Sequence, residues 1–190
     1  MVDSLEAGFV LDRFWHWMRG EMDRSKEPDL AAIVRVLSSH RVSYAVIGGV
    51  ALQIHQKDPR TTIDVDIAVA DRSQLPREAL ITAGFRETGR HEHSDNWIGP
   101  TGTPIQFTDD HALRGPVSRA IEVRIGDIAL RVLRRDDLLH EKLRSGRDPA
   151  RRRSKRLQDL ADAQALLEQD PSLAAELTPE ERALLEQLPD

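Results

Sequence analysis

The chain has 190 residues, of which 39% are hydrophobic and 31% are charged, and it carries a net charge of −5 and no cysteine. This length suits one well-buried core and excludes two independent enzyme domains, while the lack of cysteine excludes disulfides, thiolate zinc sites and cysteine nucleophiles. Because no apolar run approaches the roughly 20 residues that span a bilayer and the first residues lack the pattern of a secretion signal, we expect a cytoplasmic protein without a membrane partner.

The first two predicted elements are helices. Apolar residues at helical spacing predict an amphipathic helix that reaches about Gly20, with Phe14, Trp15 and Trp17 as packing residues. A second helix follows, for which Asp29 is the predicted N-cap.

The centre and the end of the chain alternate between strands, turns and helices. An apolar strand over residues 44–47 stops at Gly48-Gly49, after which a helix begins. A β-branched strand over residues 63–69 comes next. The remaining predicted elements are a helix over 75–83, hairpins within 96–107 and 121–132, a helix from about 136, a break at 146–149, a longer helix carrying 157–167 and a short final helix after 178.

The charges are unevenly distributed. Residues 131–156 carry a balance of +7, and residues 157–190 carry a balance of −8. A basic block of this kind attracts phosphates or nucleic acid, although charge alone favours the simpler interpretation of an exposed helix pair with solvated charged faces.

Two aspartates lie on the second predicted strand. Because successive side chains of a strand point to opposite faces, Asp64 and Asp66 share one face and Ile63 lies on the other. Like charges roughly 6–7 Å apart on one face gain nothing structurally unless a cation lies between them. We therefore predict that the pair binds Mg²⁺, with Mn²⁺ as an alternative ion.

The glycine pair upstream offers a place for phosphate. A Gly-Gly turn between a strand and a helix lets backbone N–H groups approach phosphate oxygens, and the helix dipole adds to the attraction. Alone, Gly48-Gly49 is weak evidence, because most such pairs are plain turns that need a positive φ or close packing. The acidic pair that follows, with Arg60 and Thr62 leading into it, favours a phosphate cradle beside a metal-binding strand.

A family resemblance is carried by two motifs, Ile47-Gly48-Gly49-Val50-Ala51-Leu52 and Arg60-x-Thr62-x-Asp64-x-Asp66. Together they resemble the signature of the DNA polymerase β-like nucleotidyltransferase superfamily, and most of all the minimal prokaryotic proteins that include the AbiEii-like abortive-infection and toxin enzymes. Residues 137–143 and 156–162 resemble two further elements of that family. The resemblance therefore covers residues 44–162.

The resemblance implies a role for each matching residue. It makes Asp64 and Asp66 the catalytic metal ligands. It assigns nucleotide binding to seven residues: Gly48, Gly49, Arg60, Thr62, Lys142, Asp159 and Asp162. Among them, the two glycines would hold the triphosphate and Lys142 would contact phosphate. Asp159 and Asp162 would organise the helical side of the site.

The chain departs from the family pattern at two positions. The family's third acidic position aligns with Gln106, which cannot act as a general base at neutral pH; Asp109 or Asp110 would replace it if the strand ended differently. Gln158 stands where the family often has lysine, which removes one candidate phosphate contact.

We therefore predict an α+β nucleotidyltransferase fold, in which a small mixed sheet with packed helices is flanked by N- and C-terminal helices. The expected parts are a helical segment over residues 1–40, an α/β core over 41–135 and a helical segment over 136–190, packed as one domain. The corresponding activity is Mg²⁺-dependent transfer of a nucleoside monophosphate from an NTP, such as ATP, to a hydroxyl of RNA (tRNA included), a protein or a small molecule.

A role as the toxin of a toxin–antitoxin or phage-defence system, with a cognate antitoxin as partner, agrees with this reading. Two alternatives stay open. One is a nucleotide-binding or partner module that keeps the fold without turnover, which Gln106 favours. The other is an RNA-binding adaptor that uses the basic block over residues 131–156.

Overall fold

The computed structural model describes residues 4–20, 24–57 and 61–186. These residues form eight α-helices, three short 3₁₀ turns and seven strands. The helices are α1 (Ser4–Met18), α2 (Glu27–Ser39), α3 (Gly48–His55), α4 (Arg77–Thr82), α5 (Arg114–Ser118), α6 (Arg135–Arg147), α7 (Arg153–Gln169) and α8 (Pro179–Glu186). The strands are β1 (Tyr44–Ile47), β2 (Val65–Val69), β3 (Arg86–Arg90), β4 (Ser94–Ile98), β5 (Pro104–Thr108), β6 (Ile121–Ile125) and β7 (Ile128–Val132).

The strands form one mixed sheet in the order β3-β4-β5-β2-β1-β7-β6. Strand β1 runs antiparallel to β2 and parallel to β7, and β2 runs parallel to β5. The β3–β4, β4–β5 and β6–β7 pairs are antiparallel. All four residues of β1 are buried, as a central strand covered on both faces requires. The mixed sheet with helices packed on it confirms the predicted α+β fold class.

The register of the central strands brings three predicted site residues into line. Ile47, the last residue of β1, lies opposite Asp66 on β2. On the other side of β2, Gln106 of β5 lies opposite the same Asp66. Because β1 passes directly into α3, the glycine turn lies at the end of the strand that neighbours the acidic one.

Helices α6 and α7 form an antiparallel pair beyond the sheet. The predicted break between them is confirmed, since α6 ends at Arg147 and α7 begins at Arg153. At the close approach of the two helices, a Cβ on Gly146 would lie 2.5 Å from Leu160 Cδ2. The predicted final helix, α8, begins with a capping box, in which the Thr178 N–H donates to Glu181 Oε2 at 2.9 Å.

The N-terminal helix differs from the prediction in its buried face. Phe14, Trp15 and Trp17 are 53%, 49% and 60% exposed, so they are not the predicted packing residues. The core side of α1 is formed instead by Leu5 and Phe9, which are 0% and 3% exposed. Apolar residues occur on more than one side of this helix, so the helical periodicity alone does not identify the side that packs.

Asp29 is not the N-cap of the second helix. The helix begins earlier, at Glu27, because Pro28 is tolerated in the first turn. The Asp29 carboxylate is buried and accepts hydrogen bonds from the backbone N–H groups of Thr101 and Thr103 at 3.1 and 3.2 Å. It thus fastens α2 to the turn between β4 and β5.

The acidic strand is shorter than predicted. It begins at Val65 instead of Ile63, and Ile63 is 63% exposed. The cause is the loss of a partner on one side, since β1 turns into α3 after Ile47, the residue opposite Asp66. Among the described residues, no helix is long and apolar enough to cross a lipid bilayer.

Candidate active site

The glycine turn lies directly against the side chains of the acidic strand. Gly48 has φ +62°, in the left-handed region that glycine enters without strain. A Cβ on Gly48 would overlap the Asp66 carboxylate, and a Cβ on Gly49 would lie 2.5 Å from Thr62 Oγ1. Both positions therefore lack a side chain because the acidic segment occupies the space, which brings the glycine pair and the aspartate pair into one site.

The two predicted metal ligands line the same cleft. Asp64 lies just before β2 and accepts a hydrogen bond from Thr62 Oγ1 at 2.6 Å. Asp66 lies on β2, where burial and the neighbouring Asp64 carboxylate raise its pKa to about 7. Lys142, Lys155 and Arg151 act in the opposite direction without cancelling this increase. The two carboxylates therefore repel each other when both are ionised, and Asp66 resists ionisation. A cation bound between them would relieve this repulsion.

The donors of this pair fit Mg²⁺. The ion takes hard oxygen ligands and keeps several waters, so one or two carboxylates together with substrate phosphates are enough to bind it. Within residues 4–20, 24–57 and 61–186, no group of three or more His, Cys, Asp or Glu side chains is arranged to hold a metal. Mn²⁺ accepts the same oxygen ligands.

A cleft of about 560 Å³ opens between the sheet and the α6–α7 pair. Gly48, Asp64 and Asp66 line its sheet side. Its helical side carries five cationic residues: Lys142, Arg144, Arg151, Arg152 and Lys155. Glu141, Asp148 and Asp159 line the same side, so this wall has an excess of positive charge instead of being purely cationic. An excess of positive charge opposite two carboxylates suits a metal ion bound to a polyanion.

Lys142 is held by the two aspartates of α7. Its buried Nζ lies 2.8 Å from Asp159 Oδ1 and 2.8 Å from Asp162 Oδ2. Arg151 also contacts Asp159, at 2.9 Å. Lys142 and Asp159 line the cleft, and Asp162 lies behind them. The structure thus brings together the three helical residues predicted for the nucleotide site, and it adds Arg151, which sequence reasoning placed only within a general basic block.

Gln106 occupies the strand position beside the acidic pair. Its side chain is exposed in the cleft, and its Nε2 lies 3.4 Å from Asn96 Oδ1. Asp109, one of the two proposed replacements, is engaged elsewhere, with its Oδ1 2.7 Å from Arg72 Nε. Asp109 is therefore not among the residues that line the cleft.

Two further acids in the cleft are Asp110 and Glu141. Arg144 bridges them, with Nη2 lying 2.7 Å from a carboxylate oxygen of each. Burial raises the pKa of Glu141, and its contacts with Arg144 oppose that change. Asp110 is the second of the two acids that the sequence offered in place of Gln106, and it lies in the cleft, whereas the sequence gave Glu141 no role.

Thr62 and Arg60 are the other two residues predicted to bind the nucleotide. Thr62 lies beside Gly49 and Asp64, as described above. Arg60 lies outside the described residues, so its predicted nucleotide contact stays a prediction.

The fold of this chain resembles the folds of several solved proteins. An antigenic nucleotidyltransferase-like protein from Paracoccidioides brasiliensis matches with a TM-score of 0.54 and 19% identity, over 84% of this chain and 91% of that one. ANT(2'')-Ia, solved in complex with adenylyl-2''-tobramycin, matches with a TM-score of 0.59 and 15% identity, over 84% and 95%. The Megavirus polyadenylate synthase matches with a TM-score of 0.54 and 16% identity, over 87% of this chain and 35% of that one. No protein-family model and no curated protein sequence matches the chain.

The chain has the nucleotidyltransferase fold. This finding confirms the fold expected from the glycine and aspartate motifs. It does not extend to the AbiEii-like subgroup, which none of these three proteins represents by name.

The contact between Gly48 and Asp66 predicts a stability effect within this nucleotidyltransferase fold. Gly48→Ala should lower the free energy of unfolding by about 3 kcal/mol, because the left-handed conformation and the overlap with Asp66 each cost about 1–2 kcal/mol. Urea denaturation would measure the change.

Gly126 provides the matched control. It also has a positive φ, +55°, but nothing lies within 4 Å of an added Cβ. Gly126→Ala should therefore lose only the conformational part, about 1 kcal/mol. Equal losses in the two variants would show that Asp66 does not occupy the space beside Gly48.

Proposed function

We propose that this protein transfers a nucleoside monophosphate from an NTP to an acceptor hydroxyl in a Mg²⁺-dependent reaction that releases pyrophosphate. The observation that carries the proposal is the packing of Gly48 against Asp66, because it joins a phosphate-binding turn to a metal-binding strand. The cationic helical wall of the same cleft supports it.

Each part of the cleft has a defined task in such a reaction. The Gly48-Gly49 turn presents backbone N–H groups at the start of α3, where a triphosphate gains from the helix dipole. Arg151, Arg152 and Lys155 offer further positive charge to its oxygens. Bound to Asp64 and Asp66, Mg²⁺ would neutralise phosphate charge and align the attacking and leaving oxygens.

The sheet beside the acids supplies a neutral surface for the acceptor. Asp66, Gln106 and Asn96 lie side by side on β2, β5 and β4, and Thr108 and Ser94 form the next pair. Amide and hydroxyl groups of this kind donate and accept hydrogen bonds without net charge. They suit a hydroxyl-rich acceptor, such as the ribose of an RNA end, a protein hydroxyl or a sugar of an antibiotic.

A biological role as a toxin is part of the same proposal. The motif resemblance supports an AbiEii-like protein that acts as the toxin of a toxin–antitoxin or phage-defence system, with tRNA as an acceptor and an antitoxin as a partner. The basic residues at the start of α7 would contact the backbone of such an RNA.

An acceptor screen tests the proposal. The protein is incubated with Mg²⁺ and each α-labelled NTP, in separate reactions with total RNA, a protein extract and hydroxyl-bearing antibiotics. We expect label in one class of acceptor and an equal amount of pyrophosphate. Labelling that is unchanged in an Asp64→Ala/Asp66→Ala protein would contradict the proposal.

A second candidate function is a nucleotide-binding module without turnover. Gln106 favours it, because the residue beside Asp66 cannot accept a proton at neutral pH. Calorimetry combined with a pyrophosphate assay separates the two functions, since a pure binder would bind Mg·NTP tightly and release no pyrophosphate.

Restoring an acid beside Asp66 should increase turnover. Gln106→Glu is expected to raise the rate of pyrophosphate release about ten-fold or more, because a general base of suitable pKa contributes at least this much. Gln164→Glu, which makes the same charge change at an exposed position of α7, should have no effect. A Gln106→Glu protein no faster than wild type would show that a base at this position does not limit the rate.

A further inference from the structure

A buried ion pair lies behind the acidic strand. Lys26 Nζ lies 2.7 Å from Asp12 Oδ2, and the two side chains are 1% and 5% exposed. The same Nζ lies 5.5 Å from the centre of the Phe9 ring. Asp12 and Phe9 belong to α1, and Lys26 lies immediately before α2, so the ammonium group joins the two N-terminal helices.

The third contact of this ammonium group leads to the candidate active site. Lys26 Nζ donates a hydrogen bond to the Thr62 carbonyl oxygen at 3.0 Å. The Thr62 hydroxyl in turn donates to Asp64 Oδ1 at 2.6 Å. Burial lowers the pKa of Lys26, and the charges of Asp12 and Asp64 act in the opposite direction.

The segment that carries Asp64 needs such support. It lies before the first residue of β2, so the β1–β2 and β2–β5 ladders, which begin at Asp66 and Val65 respectively, do not hold it. Ile63 is 63% exposed and adds little packing. The contacts of Thr62 with Lys26 and with Asp64 are therefore the polar contacts that fix this segment on its helical side.

We propose that Lys26 is a positioning residue for the metal site: its ammonium group holds the Thr62 carbonyl and thereby fixes the Asp64 carboxylate where it shares a cation with Asp66. This inference rests on the proposed function, because it assigns Lys26 to the metal site of that reaction. Lys26 itself does not touch the nucleotide or the metal. It acts through Thr62, and Asp12 neutralises its charge.

The electrostatic and positioning effects of Lys26 have opposite signs, which makes them separable. Lys26→Met leaves the buried Asp12 carboxylate without its cation, and added negative charge alone would tighten cation binding. Loss of positioning would weaken it. The double variant Asp12→Leu/Lys26→Met removes both charges and leaves the net charge unchanged, and buried ion pairs often tolerate such apolar replacement.

The test is a titration of the metal-free, full-length protein with Mn²⁺, in which electron paramagnetic resonance reports the free ion. It is carried out with Mn²⁺ alone and with each nucleoside α,β-methylene triphosphate. We expect about ten-fold weaker Mn²⁺ binding by the double variant, the usual effect of losing an outer contact that orients a metal ligand. We also expect weaker binding by Lys26→Met, and far-UV circular dichroism checks that each variant is folded.

The matched control is the double variant Arg119→Met/Asp137→Leu. It removes another pair with a buried carboxylate, in which Arg119 Nε lies 2.9 Å from Asp137 Oδ2, away from the acidic strand. Its Mn²⁺ affinity should equal that of wild type, and an equal loss in the control would overturn the inference. Unchanged or tighter binding by the folded Lys26 variants would also overturn it while leaving the proposed function intact. A wild-type protein that binds no Mn²⁺ with any nucleotide would overturn the proposed function itself.

Discussion

Replacing both Asp64 and Asp66 with alanine should lower the rate of nucleotide transfer by about a thousand-fold or more. The two carboxylates are the proposed ligands of the divalent cation, and they lie beside the turn that would hold the phosphates. Without them, no metal ion is held at this place to neutralise the charge of the triphosphate. Initial rates of pyrophosphate release at saturating NTP and Mg²⁺ measure the loss.

An exposed aspartate provides the control for this experiment. Asp127 lies in the turn between β6 and β7, the two strands at one end of the sheet, and β1 separates them from β2. Asp127→Asn should leave the rate unchanged, which shows that loss of a surface carboxylate is not enough to reduce activity. A double variant that retains a tenth or more of the wild-type rate would mean that the chemistry takes place elsewhere.

Asp66→Asn should stabilise the metal-free protein, by up to about 4 kcal/mol at a pH above 7. The reason is the pKa of Asp66, which burial and Asp64 raise from an ordinary 3.8 to about 7. Ionised Asp66 is therefore less favourable in the folded chain than in the unfolded chain. An amide of the same shape avoids that penalty, so the residue that we propose as a metal ligand is expected to reduce the stability of the metal-free fold.

The pH dependence gives this prediction a definite sign. Below about pH 4, Asp66 is protonated in both the folded and the unfolded chain, so the advantage of asparagine disappears. It grows as the pH rises from about 4 to about 7 and is constant above that. Urea denaturation in the presence of a chelator, at several pH values, measures it, with Asp127→Asn expected to stay within about 0.5 kcal/mol of wild type. A difference between Asp66→Asn and wild type that does not change with pH would contradict the raised pKa.

Local patterns predicted most of the central fold. The apolar run before Gly48 and the helix after it are encoded within a few residues, so β1, the turn and α3 lie where expected. The start of β2 could not be predicted in the same way, because the ladder ends where its partner β1 turns into α3. The exposure of the aromatic side chains of α1 also could not be predicted from the local sequence. Helical spacing shows that a face exists, but the neighbouring elements decide which face is buried.

Some features of the candidate site could be predicted from the sequence, and others could not. The glycine and aspartate pairs are short motifs, and the sequence was enough to propose them. The support for Asp64 depends on contacts between residues far apart in the chain, such as the 36 positions that separate Lys26 from Thr62. The same holds for Arg144, which joins Asp110 to Glu141 across the cleft. Pairs of this kind arise from packing and leave no spacing pattern to detect.

The most direct test of nucleotidyl transfer compares two labels on the same NTP. Wild-type protein is incubated with Mg²⁺ and the acceptor found by the screen, once with the α-phosphate labelled and once with the γ-phosphate labelled. Transfer of a nucleoside monophosphate predicts that the α-label enters the acceptor and that the γ-label leaves in pyrophosphate. The γ-label in the acceptor, or neither label, would contradict the account.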